Sequence, residues 1–300
     1  MVKVSVICVT FNHAGWIRDA LEGFVAQSTP WPVEVLVYDD ASTDGTADIV
    51  REYAARHPGL IKAFCAGENL HSRGGIPARD VLMPHIRGEL VALCEGDDYW
   101  TSPDKLRRQV EALEAHPEAD ICAHAARRER PGGRVIYDAP LHRDALIPAE
   151  EVILGGGGYV VTSSLLCRRS AYMLQTPMRE VLYSDYTLQI QGALRGGMVY
   201  LRDCMSVYRQ GLPGSWTSRH HGQAHTEYRV QIRKMLRALD DYTAGRFSAV
   251  IEKRIRLYDS DDLASSGKIL RMLAPSELPA TAYQIERNFH KLWINILYRL

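Results

Sequence analysis

Nowhere in this chain do two cysteines stand in a C-x-x-C arrangement. The six, at positions 8, 65, 94, 122, 167 and 204, are scattered, so spacing points to neither a zinc site nor a disulfide framework. They read as small buried hydrophobes in a reducing compartment. Surplus charge is also missing: 36 Lys plus Arg meet 36 Asp plus Glu, which leaves no global field to draw the molecule to nucleic acid, and no nucleic-acid partner is expected. No run approaches the ~18 apolar residues of a spanning helix. Met1 to Thr10 lacks the pattern of a secretory leader and runs straight into a strand-like segment, so the expected address is cytoplasmic, with peripheral attachment at the inner membrane face left open. Internal repeats are absent, and the four glycines at 155–158 come nearest to low complexity. What remains is a globular composition, 46% hydrophobic and 24% charged over 300 residues, enough for one large domain or two smaller ones and far from disorder or a collagen repeat.

The first third alternates short β-branched runs with helical patterns, the sign of βαβ units and a mostly parallel sheet. Val2 to Val9, Val33 to Tyr38, Ile61 to Ala66 and Leu90 to Cys94 read as strands; Ala14 to Gln27, Thr46 to His57, Ala78 to Ile86 and Lys105 to Ala115 read as helices. Ala119 to His124 and Gly158 to Cys167 are further strand candidates. From about residue 216 strand signals disappear, and Ala224 to Ala244, Ala249 to Tyr258 and Thr281 to Leu300 are helical patterns. That stretch holds 14 Lys or Arg against nine Asp or Glu, a charge asymmetry that marks a boundary near residue 216. In Thr281 to Leu300, Ile285, Phe289, Leu292, Trp293, Ile296 and Leu297 recur at helical spacing. Such a stripe serves a membrane surface, a second copy of the chain or the rest of this one, and spacing cannot separate the three.

Open α/β sheets bind ligands at the carboxyl ends of their strands, and the polar clusters here fall at the ends of strands one, two and four. Glu95-Gly96-Asp97-Asp98-Tyr99-Trp100 sets three carboxylates within four residues, which repel unless something positive lies among them. A divalent cation meets that need, since Mg²⁺ takes one or two carboxylates and completes its shell with water and substrate phosphates; a solvated acidic turn before a helix is the plainer reading. In Asp39-Asp40-Ala41-Ser42-Thr43-Asp44-Gly45-Thr46, Asp44 or Thr46 can cap the next helix and Gly45 suits a left-handed turn. Capping leaves Asp39 unexplained, and a carboxylate there can accept a hydrogen bond from a nucleobase. Thr10-Phe11-Asn12 ends strand one and lies against the same base or forms a turn.

With strand one followed by TFN, strand two by DDASTDGT and strand four by EGDDYW, the chain resembles a glycosyltransferase of family 2, and LVALCEGDDYWTSPDKLRRQV resembles its EGDDYW-type subgroup. The resemblance covers roughly residues 1 to 215. It implies the GT-A fold, a Rossmann-like mixed sheet flanked by helices, with nucleotide-sugar binding in 1–105, the acceptor side in 106–215 and a helical C-terminal extension in 216–300. It also implies an inverting transfer from a nucleotide-sugar donor, UDP favoured over GDP and dTDP, with Mn²⁺ or Mg²⁺. The acceptor class is a carbohydrate, a lipid-linked sugar or a protein, in surface polysaccharide or glycoconjugate synthesis.

Residue by residue, the resemblance assigns Thr10 and Asn12 to the nucleoside, Asp39 to the base, Glu95-Gly96-Asp97 to the acidic DXD motif, Asp97 to the metal with Asp98 as a second candidate ligand, and Arg79 and Arg209 to the donor's charge. Asp185, in Ser184-Asp185-Tyr186-Thr187-Leu188, matches the catalytic base; on local grounds alone it reads as a helix cap. Trp100 and Trp216 border the sugar pocket or pack in the core. Four departures stand out: Glu at 95, Arg79-Asp80 for the usual Arg-Asn, Ser184 for the first acid of a pair, and no His after Tyr208-Arg209, where His220 or His221 is the candidate replacement. Two other readings stay open. A sugar nucleotidyltransferase expects a Gly-rich, Arg-containing loop where TFNHAGWI stands, and a non-catalytic nucleotide-sugar binder is compatible with the departures.

Overall fold

The computed structural model describes residues 1–76, 78–130, 132–212 and 223–265. Ten strands form one mixed sheet: β1 Val4–Thr10, β2 Val33–Asp39, β3 Ile61–Cys65, β4 Leu90–Leu93, β5 Tyr99–Trp100, β6 Ile121–Arg130, β7 Arg134–Asp138, β8 Ala145–Ile147, β9 Leu166–Arg168 and β10 Met198–Arg209. Their order is β3-β2-β1-β4-β9-β6-β10-β5, with β7 on β6 and β8 on β10. β3, β2, β1 and β4 run parallel, β9 is antiparallel to both neighbours, and β6 and β10 are parallel to each other. The helices are α1 Ile17–Val25, α2 Thr46–Arg56, α3 Lys105–Ala115, α4 Ala149–Gly155, α5 Arg169–Met173, α6 Pro177–Val181, α7 Asp185–Ala193, α8 Gln223–Tyr242 and α9 Ser248–Ser265.

Successive side chains of a strand leave by opposite faces, so runs as apolar as VSVICV and VEVLVY need cover on both sides. They have it. Val4, Val6 and Cys8, with Val35 and Val37, pack under Ile17, Leu21 and Phe24 of α1, Val50 of α2 and Leu106, Val110 and Leu113 of α3. On the other face Ile7, Leu36, Tyr38 and Val91 share a core with Val152 and Ile153 of α4, Tyr186 and Ile190 of α7, and Met235, Leu239, Ile251 and Ile255 of α8 and α9. The described part of the C-terminal extension is therefore fused to the sheet through buried apolar surface. The expected boundary at 215/216 falls outside the described residues, as do Trp216, His220, His221 and the whole of Thr281 to Leu300.

The sequence pattern misplaces two elements and passes over others, β10 among them. Gly158 to Cys167 is no single strand: a turn at Thr162–Ser164 intervenes and only Leu166–Arg168 pairs, the Ser164 hydroxyl bonding back to the Val161 carbonyl and holding that turn. Ala78 to Ile86 breaks into two short turns around Pro84, whose missing amide interrupts a helix. β10 escapes notice because its alternation is broken by register shifts at Cys204, where Arg202 turns to solvent. All six cysteines are free, and no described helix is long and apolar enough to cross a membrane.

Candidate active site

The β1–β2 register pairs Thr10 with Asp39, and the β4 chain continues beside β1 past its last paired residue, through Cys94 N–H to the Ile7 carbonyl (3.1 Å) and Gly96 N–H to the Val9 carbonyl (3.0 Å). Three polar segments thus meet at one sheet edge. Their approach requires glycine at 96: a Cβ there would stand 2.4 Å from Thr10 Oγ1 and 2.9 Å from Ile17 Cδ1. The turn closes with Asp98 N–H donating to the Glu95 carbonyl at 3.1 Å.

Within that turn the three acids part company. Glu95 opens onto the crevice. Packing of protein around it, then the charges of Asp97 and Asp185, raise its carboxyl above the usual range. Asp97 is 9% exposed, and its Oδ2 lies 3.8 Å from His13 Nε2. Asp98 is fully buried and points inward, where Oδ1 accepts the Arg209 amide at 2.9 Å. Burial, Asp97 and Glu95 push the Asp98 carboxyl up, against the Arg209 amide and the Ser163 hydroxyl. The structure does not bring Asp98 to the crevice beside Asp97.

The loop after β2 carries more structure than its sequence suggests. The N-cap of α2 is Gly45, at φ 96°, without a side-chain cap; Asp44, one residue earlier, accepts Thr46 N–H at 3.0 Å through Oδ1, while Oδ2 takes Ala14 N–H at 2.9 Å. Asn12, itself at φ 55°, accepts Thr43 N–H at 2.9 Å. Asp39 is buried, and both oxygens meet Ser42, Oδ2 at its amide (3.0 Å) and Oδ1 at its hydroxyl. Asp40, which the sequence reading passed over, accepts Leu70 N–H (2.6 Å) and His71 N–H (3.0 Å) and so pins the next loop.

Asp185 opens α7 from the far side of the crevice. Local propensity made it a cap, but Ser184 is the cap, taking Thr187 N–H at 3.2 Å. The Asp185 carboxylate is left to receive the Thr162 hydroxyl at 3.0 Å and Tyr186 N–H at 2.7 Å. Burial raises it, while the Thr162 hydroxyl, backbone amides and Arg128 work against the rise. The charge of Asp185 reaches Tyr228 of α8, whose phenol burial and that charge keep protonated. No motif announced this residue, because α8 meets α7 only through tertiary packing.

Arg79 is exposed, paired with Asp80 at 2.6 Å, and 6.0 Å above the Tyr183 ring, two residues before Asp185. Arg209 is more committed than a phosphate clamp would be. Its guanidinium donates to the Asp97 carbonyl at 3.1 Å, pairs with Asp19 and Glu129 and covers the Tyr99 ring at 4.4 Å. Trp100 belongs to the core: it is 4% exposed, edge-on to Phe24 at 4.8 Å, with Nε1 donating to the Ser163 carbonyl at 2.9 Å. His13 is the residue the motif reading left unassigned although it follows TFN directly. Its Nδ1 meets Thr10 Oγ1 at 3.1 Å. Among the described residues no three His, Cys, Asp or Glu side chains gather as a metal cage. Asp97 is a single carboxylate donor here, and a cation held by it would take the rest of its shell from water and a diphosphate.

An uncharacterised protein of Mycobacterium tuberculosis, Rv1520, is 37% identical over 244 residues, covering 74% of this chain and 66% of that protein; the chain thus spans just under two thirds of that relative's length. The putative glycosyltransferase EpsE of Bacillus subtilis is 29% identical over 183 residues, 60% of this chain and 61% of EpsE. Among solved structures, TarS 1-349 of S. aureus in complex with UDP-GlcNAc superposes with a TM-score of 0.66 at 18% identity, covering 95% of this chain and 81% of that one. The mannosyltransferase PcManGT from Pyrobaculum calidifontis in complex with GDP-Man and Mn²⁺ has a TM-score of 0.50 at 19% identity, covering 97% and 87%. The fold is that of the GT-A enzymes. Residues 5–172 match the family model described as glycosyl transferase family 2, and the chain belongs to that family.

Proposed function

We propose that this protein is an inverting glycosyltransferase that moves a sugar from a nucleoside diphosphate donor, UDP favoured, to an acceptor hydroxyl in surface polysaccharide or glycoconjugate synthesis. The observation that carries the proposal is the convergence of the carboxyl ends of β1, β2 and β4, where Gly96 N–H meets the Val9 carbonyl at 3.0 Å beside the Thr10–Asp39 pair, with Asp185 near enough to add, after burial and Asp97, to the rise of the Glu95 carboxyl. Inversion needs one carboxylate to take the acceptor's proton as its oxygen attacks the anomeric carbon opposite the leaving diphosphate. Asp185 suits that role. Its oxygens are oriented by Thr162 and Tyr186, and a carboxyl raised by burial is a better base than an ordinary aspartate.

On the donor side, Asp97 is the residue to hold Mn²⁺ or Mg²⁺, and the bound cation would offset charge on the leaving diphosphate. Asp98 and Arg209 act as positioning residues that join the acidic turn to β10. Asp39, Asn12 and Thr10 form the floor on which the nucleoside rests, and Arg79, exposed beside Asp80, is the cation offered to the donor's charge. The UDP-GlcNAc bound to TarS, itself named a poly(ribitol-phosphate) β-N-acetylglucosaminyltransferase, supports a UDP-sugar donor and a polymeric acceptor.

The test is a screen of UDP-, GDP- and dTDP-sugars for binding and slow hydrolysis, with and without Mn²⁺, in the wild type and in Asp97→Ala. One donor is expected to bind with metal dependence and to lose its sugar slowly, and Asp97→Ala is expected to abolish the metal dependence. Binding without turnover in the presence of varied acceptors would favour a nucleotide-sugar binding protein. Binding of none would end the reading.

A further inference from the structure

We infer that the Thr162-Ser163-Ser164 turn is the common mount of the two halves of the site, with Thr162 a positioning residue for the base Asp185 and Ser163 a positioning residue for the acidic turn of the donor side. The inference rests on the nucleotide-sugar reading above and extends it from one hydrogen bond to a whole segment. This is the turn that breaks the expected strand at Gly158 to Cys167. It grips the acidic motif at both ends. Before Glu95, Leu93 N–H donates to the Leu165 carbonyl at 3.2 Å; after Asp98, Trp100 Nε1 donates to the Ser163 carbonyl at 2.9 Å. Between them the Ser163 hydroxyl stands beside the Asp98 carboxyl and opposes its rise, and lies 3.3 Å from Ser206 Oγ of β10.

The turn itself is immobilised. Ser163 and Ser164 are fully buried, Gln109 of α3 donates from Nε2 to the Ser164 carbonyl at 2.8 Å, and the Ser164 hydroxyl closes on the Val161 carbonyl at 2.7 Å. Thr162, half-buried, is left to project the other way and to give its hydroxyl to Asp185 Oδ2 at 3.0 Å. Adjacent residues of one short turn therefore reach the donor-side acids and the base. An in-line displacement depends on the separation of these two groups, because the attacking oxygen and the leaving diphosphate must stand on opposite faces of one carbon, and a small misplacement is costly. A segment fixed by α3, β10 and the acidic motif sets that separation before any ligand enters. The hydroxyl of Thr162 also favours the ionised form of the base, since a donated hydrogen bond stabilises a carboxylate. Glu95 of the acidic turn, Arg128 of β6 and Tyr228 of α8 face Asp185 as well, and a change at Thr162 alters none of them.

The experiment follows slow hydrolysis of UDP-GlcNAc, UDP-glucose, GDP-mannose and dTDP-glucose by the full chain against pH, water standing in for the acceptor hydroxyl, together with binding of the matching nucleoside diphosphate and Mn²⁺. The proteins are the wild type, Thr162→Val, Thr162→Ser and Ser163→Ala. With the donor that the wild type hydrolyses, Thr162→Val should lower kcat by ~10-fold, the worth of one hydrogen bond to a charged group. It should also move the acid limb of kcat/KM to higher pH, since the ionised base has lost a donor, and leave nucleoside diphosphate affinity unchanged. Thr162→Ser should restore both rate and limb. Ser163→Ala should do the opposite, weakening nucleoside diphosphate binding with the limb in place. An acid limb that stays where it is in Thr162→Val, a loss that serine does not restore, or wild-type nucleotide affinity in Ser163→Ala would overturn this inference and leave the donor reading standing. No donor hydrolysed by the wild type would overturn both. Should the valine variant fail to fold, Thr162→Ala takes its place.

Discussion

Replacing Asp185 by asparagine removes the proposed base with almost no change of shape, and the local hydrogen bonds show why the variant should fold. Oδ1 accepts the Tyr186 amide and Oδ2 accepts the Thr162 hydroxyl. An asparagine can keep its carbonyl oxygen on Tyr186 N–H and turn its NH₂ toward the Thr162 oxygen, which accepts as readily as it donates. Burial raises the Asp185 carboxyl, so the native state holds this proton more tightly than the unfolded chain. The wild type therefore gains stability as pH falls through the raised value, and near neutral pH the ionised group is a burden the amide does not carry. The melting temperature of Asp185→Asn should hold or rise at neutral pH. Turnover should fall by ~10²–10⁴, about 3–5 kcal/mol of barrier at ~1.4 kcal/mol per decade, with donor affinity unchanged. In the wild type, kcat/KM should decline as pH falls through a value above the ordinary aspartate range, as the base becomes protonated. Initial rates with a competent acceptor, together with donor titration and a thermal melt, check each statement. A variant that transfers sugar within about threefold of wild type would refute the assignment, because a general base typically contributes ~10²–10⁴-fold.

Two further substitutions probe the scaffold. Gly96→Ala drives a methyl group against Thr10 and Ile17 and should cost about 1–3 kcal/mol through overpacking; a melt and a UDP titration should show lost stability together with lost binding, and unchanged binding would mean that the Thr10 contact does not shape the site. Lys105 is fully buried, its Nζ 2.7 Å from Gln109 Oε1 and 4.0 Å from the Trp100 ring centre, and burial lowers its ammonium to about 7. Between that value and the ordinary lysine range near ~10.4 the unfolded chain binds a proton the native state has shed, so stability should rise with pH across this window and the rise should vanish in Lys105→Met; urea midpoints at pH 7 and pH 9 that shift equally in both proteins would contradict the burial argument.

The strands of the first third and helices such as α3, Lys105–Ala115, were legible because their signals are local. Apolar runs, alternation and helical spacing concern neighbours in the chain, and Asp44 with Gly45 terminates a loop by rules that operate over a few residues. The three acidic and polar motifs could be assigned to one crevice for a similar reason, since parallel strands deliver their carboxyl ends to the same edge. β10 was missed because its register shifts erase the alternation that marks a strand. On local grounds Asp185 reads as a cap because Asp and Ser are interchangeable there on propensity alone, and only the hydrogen bond from Thr187 to Ser184 decides between them.

What the chain determined by itself was therefore its family, the parallel half of its sheet and the place of the acidic motif at a strand's carboxyl end, all written in short-range order. Tertiary structure alone decided which acid does what. Asp97 and Asp98 are adjacent in sequence, yet one faces His13 and the other is buried on the Arg209 amide, because successive residues of a turn leave the backbone in different directions. It also brought Tyr228 of α8 within electrostatic reach of Asp185 and His13 to Asp97, contacts between elements that no local pattern links, made only when the apolar faces of the sheet are covered.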